Sequence, residues 1–162
     1  MSIEDDIAFL ERVPTLALIG REALRVIAIS VEHFTVGQGE TLFREGEAAD
    51  CAYVVLHGAF AVSRDDPQLA RRPGQAARVG PPGLLGEMAL LTDTRRPANA
   101  TALTASEVLR IPRNVFLRTL ESYPDAARRL THELSAQISA TLVELDRVRQ
   151  RLDAIDGGPL LP

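Results

Sequence analysis

Between Gly83 and Thr104 the chain reads GLLGEMALLTDTRRPANATALT, which sets a glycine, a carboxylate and a guanidinium at a spacing suited to one compact anion bearing hydroxyls. Gly86 has no side chain, so a ligand can lie against its backbone. Glu87 to Leu91 is long enough for a turn or two of helix. The first amides of such a helix have no internal partner and, with the helix dipole, favour a phosphate. Arg96 comes nine residues after Glu87, entering from the next strand. Its planar fork of donors can grip the same phosphate in a geometry that lysine does not offer. Glu87 shares the sign of a phosphate, but as an acceptor it suits a neighbouring sugar hydroxyl. Arg95 is the alternative to Arg96, and the spacing favours Arg96.

The rest of the chain offers little other chemistry. His33, His57 and His132 are scattered, without the cysteine or acidic companions at ligand spacing that zinc needs. There is no nucleophile elbow, P-loop or recognisable carboxylate pair, so no catalysis is expected. Cys51 is the single cysteine, which rules out an internal disulfide and fits a reducing, cytoplasmic setting with a buried, inert thiol. The net charge of -4, from 22 acidic and 18 basic residues, argues against a general nucleic-acid binder. No segment approaches the length needed to cross a bilayer, and the SIEDD start is acidic where a secretory signal is basic.

The elements that position the run follow from periodicity. With 162 residues and 46% hydrophobic content, the chain suits one domain with a real core. Ser2 followed by Asp5 predicts a capped helix carrying Ile3, Ile7, Phe9 and Leu10 and ending near Pro14. A second helix is expected from Gly20 to about Ile29, with Leu24, Ile27 and Ala28 on one side. Both would cover one end of a barrel. From His33 the pattern alternates and is punctuated by Gly37, Gly39 and Gly46, as in short strands joined by tight turns. Further strands are expected over Cys51 to Leu56, the AFAVS run, Ala76 to Val79, Asn99 to Leu103 and Glu107 to Ile111, with Asp65 to Gln75 as a polar loop. Many short strands argue for an antiparallel β jelly roll in a β-rich α+β fold. Helices then run from Arg113 to Ser122 and from Pro124 to about Ile155.

The run GEMALL followed by Arg96, Ala98 and a strand resembles the phosphate-binding cassette of cyclic nucleotide-binding domains, the family of the bacterial cyclic AMP receptor protein. GQGETLFREGEAADCAYVVLHGAFAV before it and TASEVLRIPRNVFLRTLESYPD after it resemble the family's early strands and its closing strand with following helix. The resemblance implies a cupin-like double-stranded roll with N-terminal helices, a short cassette helix and a long C-terminal helix. It also implies that Glu87 accepts from the ribose 2'-hydroxyl, Arg96 pairs with the cyclic phosphate and the amides after Gly86 complete the cradle. The implied ligand-binding set is Val79, Leu85, Gly86, Glu87, Met88, Ala89, Arg96, Pro97, Ala98 and Thr141. This chain departs from the family pattern at Pro97, which has neither hydroxyl nor amide proton to give, and in the GPPGLLGE approach to the cassette.

In the last helical stretch Ile138, Leu145 and Leu152 recur every seven residues, with Leu134, Thr141, Val148 and Ile155 in the complementary register. This is an a/d seam of a parallel coiled coil, in which Glu144 would face Arg149 of a second copy. A homodimer is therefore expected. The organisation reads as a domain over 1–124, a lid and dimerisation helix over 125–156 and a tail over 157–162. By the resemblance, Thr141 meets the adenine amino group, which favours cyclic AMP over cyclic GMP. No cofactor beyond the ligand is implied. No helix-turn-helix follows in the six residues after Asp156, so a sensor that relays to a protein partner is expected, without DNA binding of its own. The alternatives are a constitutive dimerisation or scaffold module that binds no nucleotide, and a regulatory domain detached from a larger signalling protein.

Overall fold

The structure, a computed structural model, describes residues 2–64 and 77–133. Three helices come first: α1 (Ile3–Leu10), α2 (Pro14–Ala17) and α3 (Arg21–Ser30). Ser2 caps α1 as its sequence predicts. Its hydroxyl accepts from the Asp5 amide at 3.1 Å while its own amide donates to the Asp5 carboxylate at 3.1 Å. Those two contacts, the amide first, hold the Asp5 carboxyl below its ordinary range. Pro14 behaves differently from the expectation that it ends a helix. The first helix has already stopped at Leu10, and Pro14 opens α2 at its first position, where a missing amide proton costs no hydrogen bond.

Among the described residues ten strands follow in chain order: β1 (Glu32–Val36), β2 (Thr41–Phe43), β3 (Ala48–Ala49), β4 (Cys51–His57), β5 (Phe60–Ser63), β6 (Ala77–Val79), β7 (Leu84–Leu85), β8 (Thr94–Arg95), β9 (Asn99–Ala102) and β10 (Ser106–Pro112). They form two four-stranded antiparallel sheets, ordered β1-β10-β4-β7 and β2-β9-β5-β6, and a β3-β8 pair. The expected jelly roll is thus present. Helix α4 (Arg113–Ser122) leaves the roll directly after Pro112, and a further helix, α5, starts at 124 and is described to 133. Residues 134–162, on which the expected continuation of the helix, the heptad seam and Thr141 fall, lie outside the described residues.

The sequence CAYVVLH explains why β4 sits in the interior of its sheet. It is apolar on both faces, as a strand covered on both sides must be. Ala52 and Val54 join a core built with Ile7, Leu10, Leu24, Ile27, Leu109, Ile111 and Phe116, beneath the helices. Val55 joins a second core inside the roll with Phe43, Phe60, Leu85 and Val108, against which Tyr53 packs. Cys51, Tyr53 and Val55 therefore share one face by the two-residue period of a strand. Ala126 and Leu130 of α5 belong to the helical core, so the start of the last helix is packed with the first three.

Candidate functional site

Gly86 is in the left-handed conformation, with φ 75°, at the junction between β7 and the cassette. The segment that follows, Glu87–Leu90, is one turn of 3-10 helix rather than the turn or two of α-helix expected. It is too short to build a useful dipole, because few peptide units align. What the turn does provide is backbone donors. The Gly86 carbonyl accepts from the Ala89 amide at 3.1 Å, so the amides of Glu87 and Met88 lie ahead of the turn's own hydrogen bonding. Ala89 and Leu90 are buried and anchor the turn, while Glu87 and Met88 are exposed.

The structure separates the two arginines. Arg95, in β8, is exposed and donates from Nη1 to the Gly46 carbonyl at 2.9 Å. Arg96 turns inward and is only 5% exposed. Its backbone is fixed on the Glu45–Glu47 side by the Arg96 amide donating to Glu47 O and the Gly46 amide donating to Arg96 O, each at 2.8 Å. The guanidinium carbon lies 4.4 Å above the Phe43 ring and 5.7 Å from that of Tyr53. Nη2 donates to the Cys51 thiol at 3.3 Å, and Nη1 has no hydrogen-bond partner among the described residues. No carboxylate among the described residues forms an ion pair with Arg96. A buried cation with an unused donor is costly, and such a position calls for an acceptor.

That donor faces the cassette. A Cβ placed on Gly86 would come within 2.3 Å of Arg96 Nη1, so only glycine leaves room for the guanidinium. Around the two lies a cleft of about 380 Å³, lined by Phe43, Ala49, Val62, Ala77, Val79, Leu84, Leu85, Gly86, Glu87, Met88, Ala89, Thr94, Arg95, Arg96, Pro97 and Ala98. The sequence-predicted residues Val79, Leu85, Gly86, Glu87, Met88, Ala89, Arg96, Pro97 and Ala98 are thus gathered on one cavity. Phe43, Cys51 and Tyr53 were not anticipated as neighbours of Arg96. Only the alternation of β4, which puts Cys51 and Tyr53 on one face, could have hinted at two of them.

A larger hollow of about 570 Å³ lies elsewhere, between β10 and α4. Its arginines are already engaged. Arg110 lies 3.6 Å from both Glu32 and Asp50, and Arg113 donates from Nη1 to the carbonyls of Ala49 and Thr92, each at 2.9 Å. Of these two, formed by the described residues, the cassette cleft combines an apolar wall with an unanswered cation, the usual make-up of a small-molecule site. Among the described residues there is no cluster of metal-ligating side chains, and His33 is instead 3.0 Å from Asp6. No helix among them is long and apolar enough to cross a membrane.

A family model for the cyclic nucleotide-binding domain matches residues 33–123, from the first strand through the helix that follows the roll. The chain belongs to the cyclic nucleotide-binding domain family. A cyclic nucleotide-binding-like protein from Brucella abortus has a solved structure that is similar at 38% identity, covering 72% of this chain and 98% of that one, with a TM-score of 0.61. The N-terminal domain of a transcriptional regulator from Streptomyces coelicolor is similar at 30% identity, with 85% and 94% covered and a TM-score of 0.74. Patatin-like phospholipase domain-containing protein 7 of Rattus norvegicus is 29% identical over 120 residues, which are 74% of this chain and 9% of the relative. This cyclic nucleotide-binding domain therefore spans less than a tenth of the curated relatives' length.

Proposed function

We propose that the domain is a regulatory sensor that binds a cyclic nucleoside monophosphate, cyclic AMP in preference to cyclic GMP, and signals through the helices after the roll. The observation that carries this reading is Arg96: a buried guanidinium with one unpartnered nitrogen, at the floor of an apolar cleft and against the backbone of a left-handed glycine. In this reading Nη1 and the amides of Glu87 and Met88 receive the cyclic phosphate. The exposed Glu87 carboxylate accepts from the ribose 2'-hydroxyl. Val79, Leu85, Met88, Ala89, Pro97 and Ala98 supply the wall against ribose and base. Pro97 offers no amide proton, so the phosphate depends more heavily on Arg96. Thr141 contributes the adenine contact, its hydroxyl oxygen accepting from the adenine amino group as the family resemblance implies.

The relay has a physical connection in Arg113, the first residue of α4. Its Nη1 donates to the carbonyl of Ala49 in β3 and to that of Thr92 just after the cassette turn, so a shift of the cassette pulls on α4. Met88, Leu90 and Leu91 also share a small cavity with Phe116 of α4 and Leu130 of α5. The output is a changed surface or dimer for a protein partner, the dimer being formed through the heptads of residues 134–156. Nucleotide can bias that switch only through its different affinity for the two states.

Pro97 favours a second reading, in which the roll persists as a dimerisation module that binds no nucleotide. The small share of the curated relatives that the chain spans also suits a regulatory domain of a longer signalling protein. Isothermal titration of nucleotide-stripped protein with cyclic AMP and then cyclic GMP decides the matter. Saturable binding that prefers cyclic AMP is the expected result. No heat and no thermal stabilisation with either nucleotide would leave the dimerisation module.

A further inference from the structure

We propose that Cys51 is a positioning residue that aims Arg96 at the phosphate, so the thiol sets the affinity of the nucleotide site. The proposal rests on the cyclic nucleotide reading of the cleft. A guanidinium is a flat group whose placement needs its plane and its rotation within that plane to be fixed. The rings of Phe43 and Tyr53, themselves stacked with centroids 6.1 Å apart, fix the plane through the contacts at 4.4 and 5.7 Å. Stacking does not resist rotation within the plane. Among the described residues the Nη2 bond to Cys51 Sγ, at 3.3 Å, is the one hydrogen bond on the guanidinium, and it leaves Nη1 towards Gly86.

The burial of both partners sharpens the point. Cys51 is 1% exposed and Arg96 5%, so water cannot readily take over the thiol's role as acceptor. Sulfur is a weak acceptor. It orients the cation without neutralising it, and Nη1 keeps its full need for an anion. A carboxylate at the same place would satisfy Arg96 internally and compete with the phosphate for it. The orphaned, buried Nη1 is the independent sign that the assembly awaits a ligand.

The test uses the full chain and three variants, with cyclic AMP as the probe. Cys51→Val removes the acceptor at similar size, Cys51→Ala removes it without adding a branched carbon beside Pro112, and Cys51→Ser restores an acceptor. Titration is expected to show about three- to tenfold weaker binding for Val and Ala, in keeping with loss of one hydrogen bond, and recovery towards wild type for Ser. Nitrogen-resolved NMR of the Arg96 side chain, assigned with Arg96→Lys, is expected to show an Nη2–H signal displaced by its bond to sulfur in the wild type and moved in Val and Ala. Thermal unfolding confirms that each variant is folded.

Wild-type affinity in Cys51→Val and Cys51→Ala would overturn the proposal while leaving the nucleotide site standing. Weaker binding with an unchanged Arg96 spectrum would also overturn it, because packing alone would then explain the loss. A wild type that binds no nucleotide fails the underlying reading, and with it the role of Cys51 in affinity. An unchanged Arg96 spectrum in Cys51→Ala would then remove the orienting role as well.

Discussion

At the scale of single residues, Arg96 carries opposing energies. Its stacking on Phe43 contributes about 0.5–2 kcal/mol, whereas its unanswered donor costs about 1–3 kcal/mol. Arg96→Ala should therefore destabilise the ligand-free protein by no more than about 1 kcal/mol, the largest stacking contribution less the smallest donor cost. Its affinity for cyclic AMP should fall at least about tenfold to a hundredfold, the worth of one charge-assisted hydrogen bond. Thermal unfolding and titration of the same sample read the two effects separately. Unchanged affinity would remove Arg96 from the site. Gly86→Ala makes the converse case, since the new Cβ meets Nη1 at 2.3 Å in a backbone conformation with φ 75°. Strain there of about 1–2 kcal/mol should lower the denaturant midpoint, and binding should be lost because Arg96 must move. A Gly86→Ala protein with native stability and affinity would show that the glycine is dispensable.

At the scale of elements, the joint between cassette and helix is the testable feature. Arg113 reaches Ala49 O and Thr92 O at 2.9 Å, and Ala89 O at 3.5 Å, with its side chain 23% exposed. Arg113→Met keeps the length of the chain but removes the donors. The variant should lose about 1–3 kcal/mol of stability, as expected for partly buried carbonyls deprived of a charged donor. Hydrogen exchange should then show nucleotide protecting the cassette while residues 113–133 no longer respond. Protection that still spreads to α4 would place the coupling in the apolar contacts around Phe116 instead.

At the scale of the whole molecule, Tyr53 reports on the integrity of the roll. Burial first, and then the neighbouring Cys51 thiol, push its phenol up from 10.0 to about 12. The folded protein thus keeps a proton that the unfolded chain releases. Stability should be unaffected by this group below pH 10, decline as pH rises from about 10 to about 12 and level off above. Denaturant melts across that range should show the decline, and Tyr53→Phe should flatten it. A slope that persists in Tyr53→Phe would assign it to another group. The quaternary proposal is tested by sedimentation. The full chain should run as a dimer and a chain ending at residue 133 as a monomer, because the second lacks the heptads. Equal mass for the two would put any interface on the roll itself.

The sequence by itself determined what depends on neighbours along the chain. The capping box at Ser2 and Asp5, the alternating strands, and the order of glycine, glutamate and arginine in the cassette are local patterns, and they were legible for that reason. Where local rules compete, legibility ended. Pro14 can stop a helix or start one, and a four-residue turn can be 3-10 or α; packing against the core made the choice. Arg95 and Arg96 have identical chemistry and adjacent positions. Only the pairing of β3 with β8 and the path beyond it turned one outward and the other in. Cys51 and Arg96 are 45 residues apart, and no spacing rule connects them. Their contact exists because β4 presents Cys51 and Tyr53 on the face towards the roll interior, where Phe43 also packs. The sequence supplied the groups that can hold an anion. The tertiary structure decided which guanidinium nitrogen is left buried without a partner, because burial and orientation arise only when strands distant in sequence close around the same side chain.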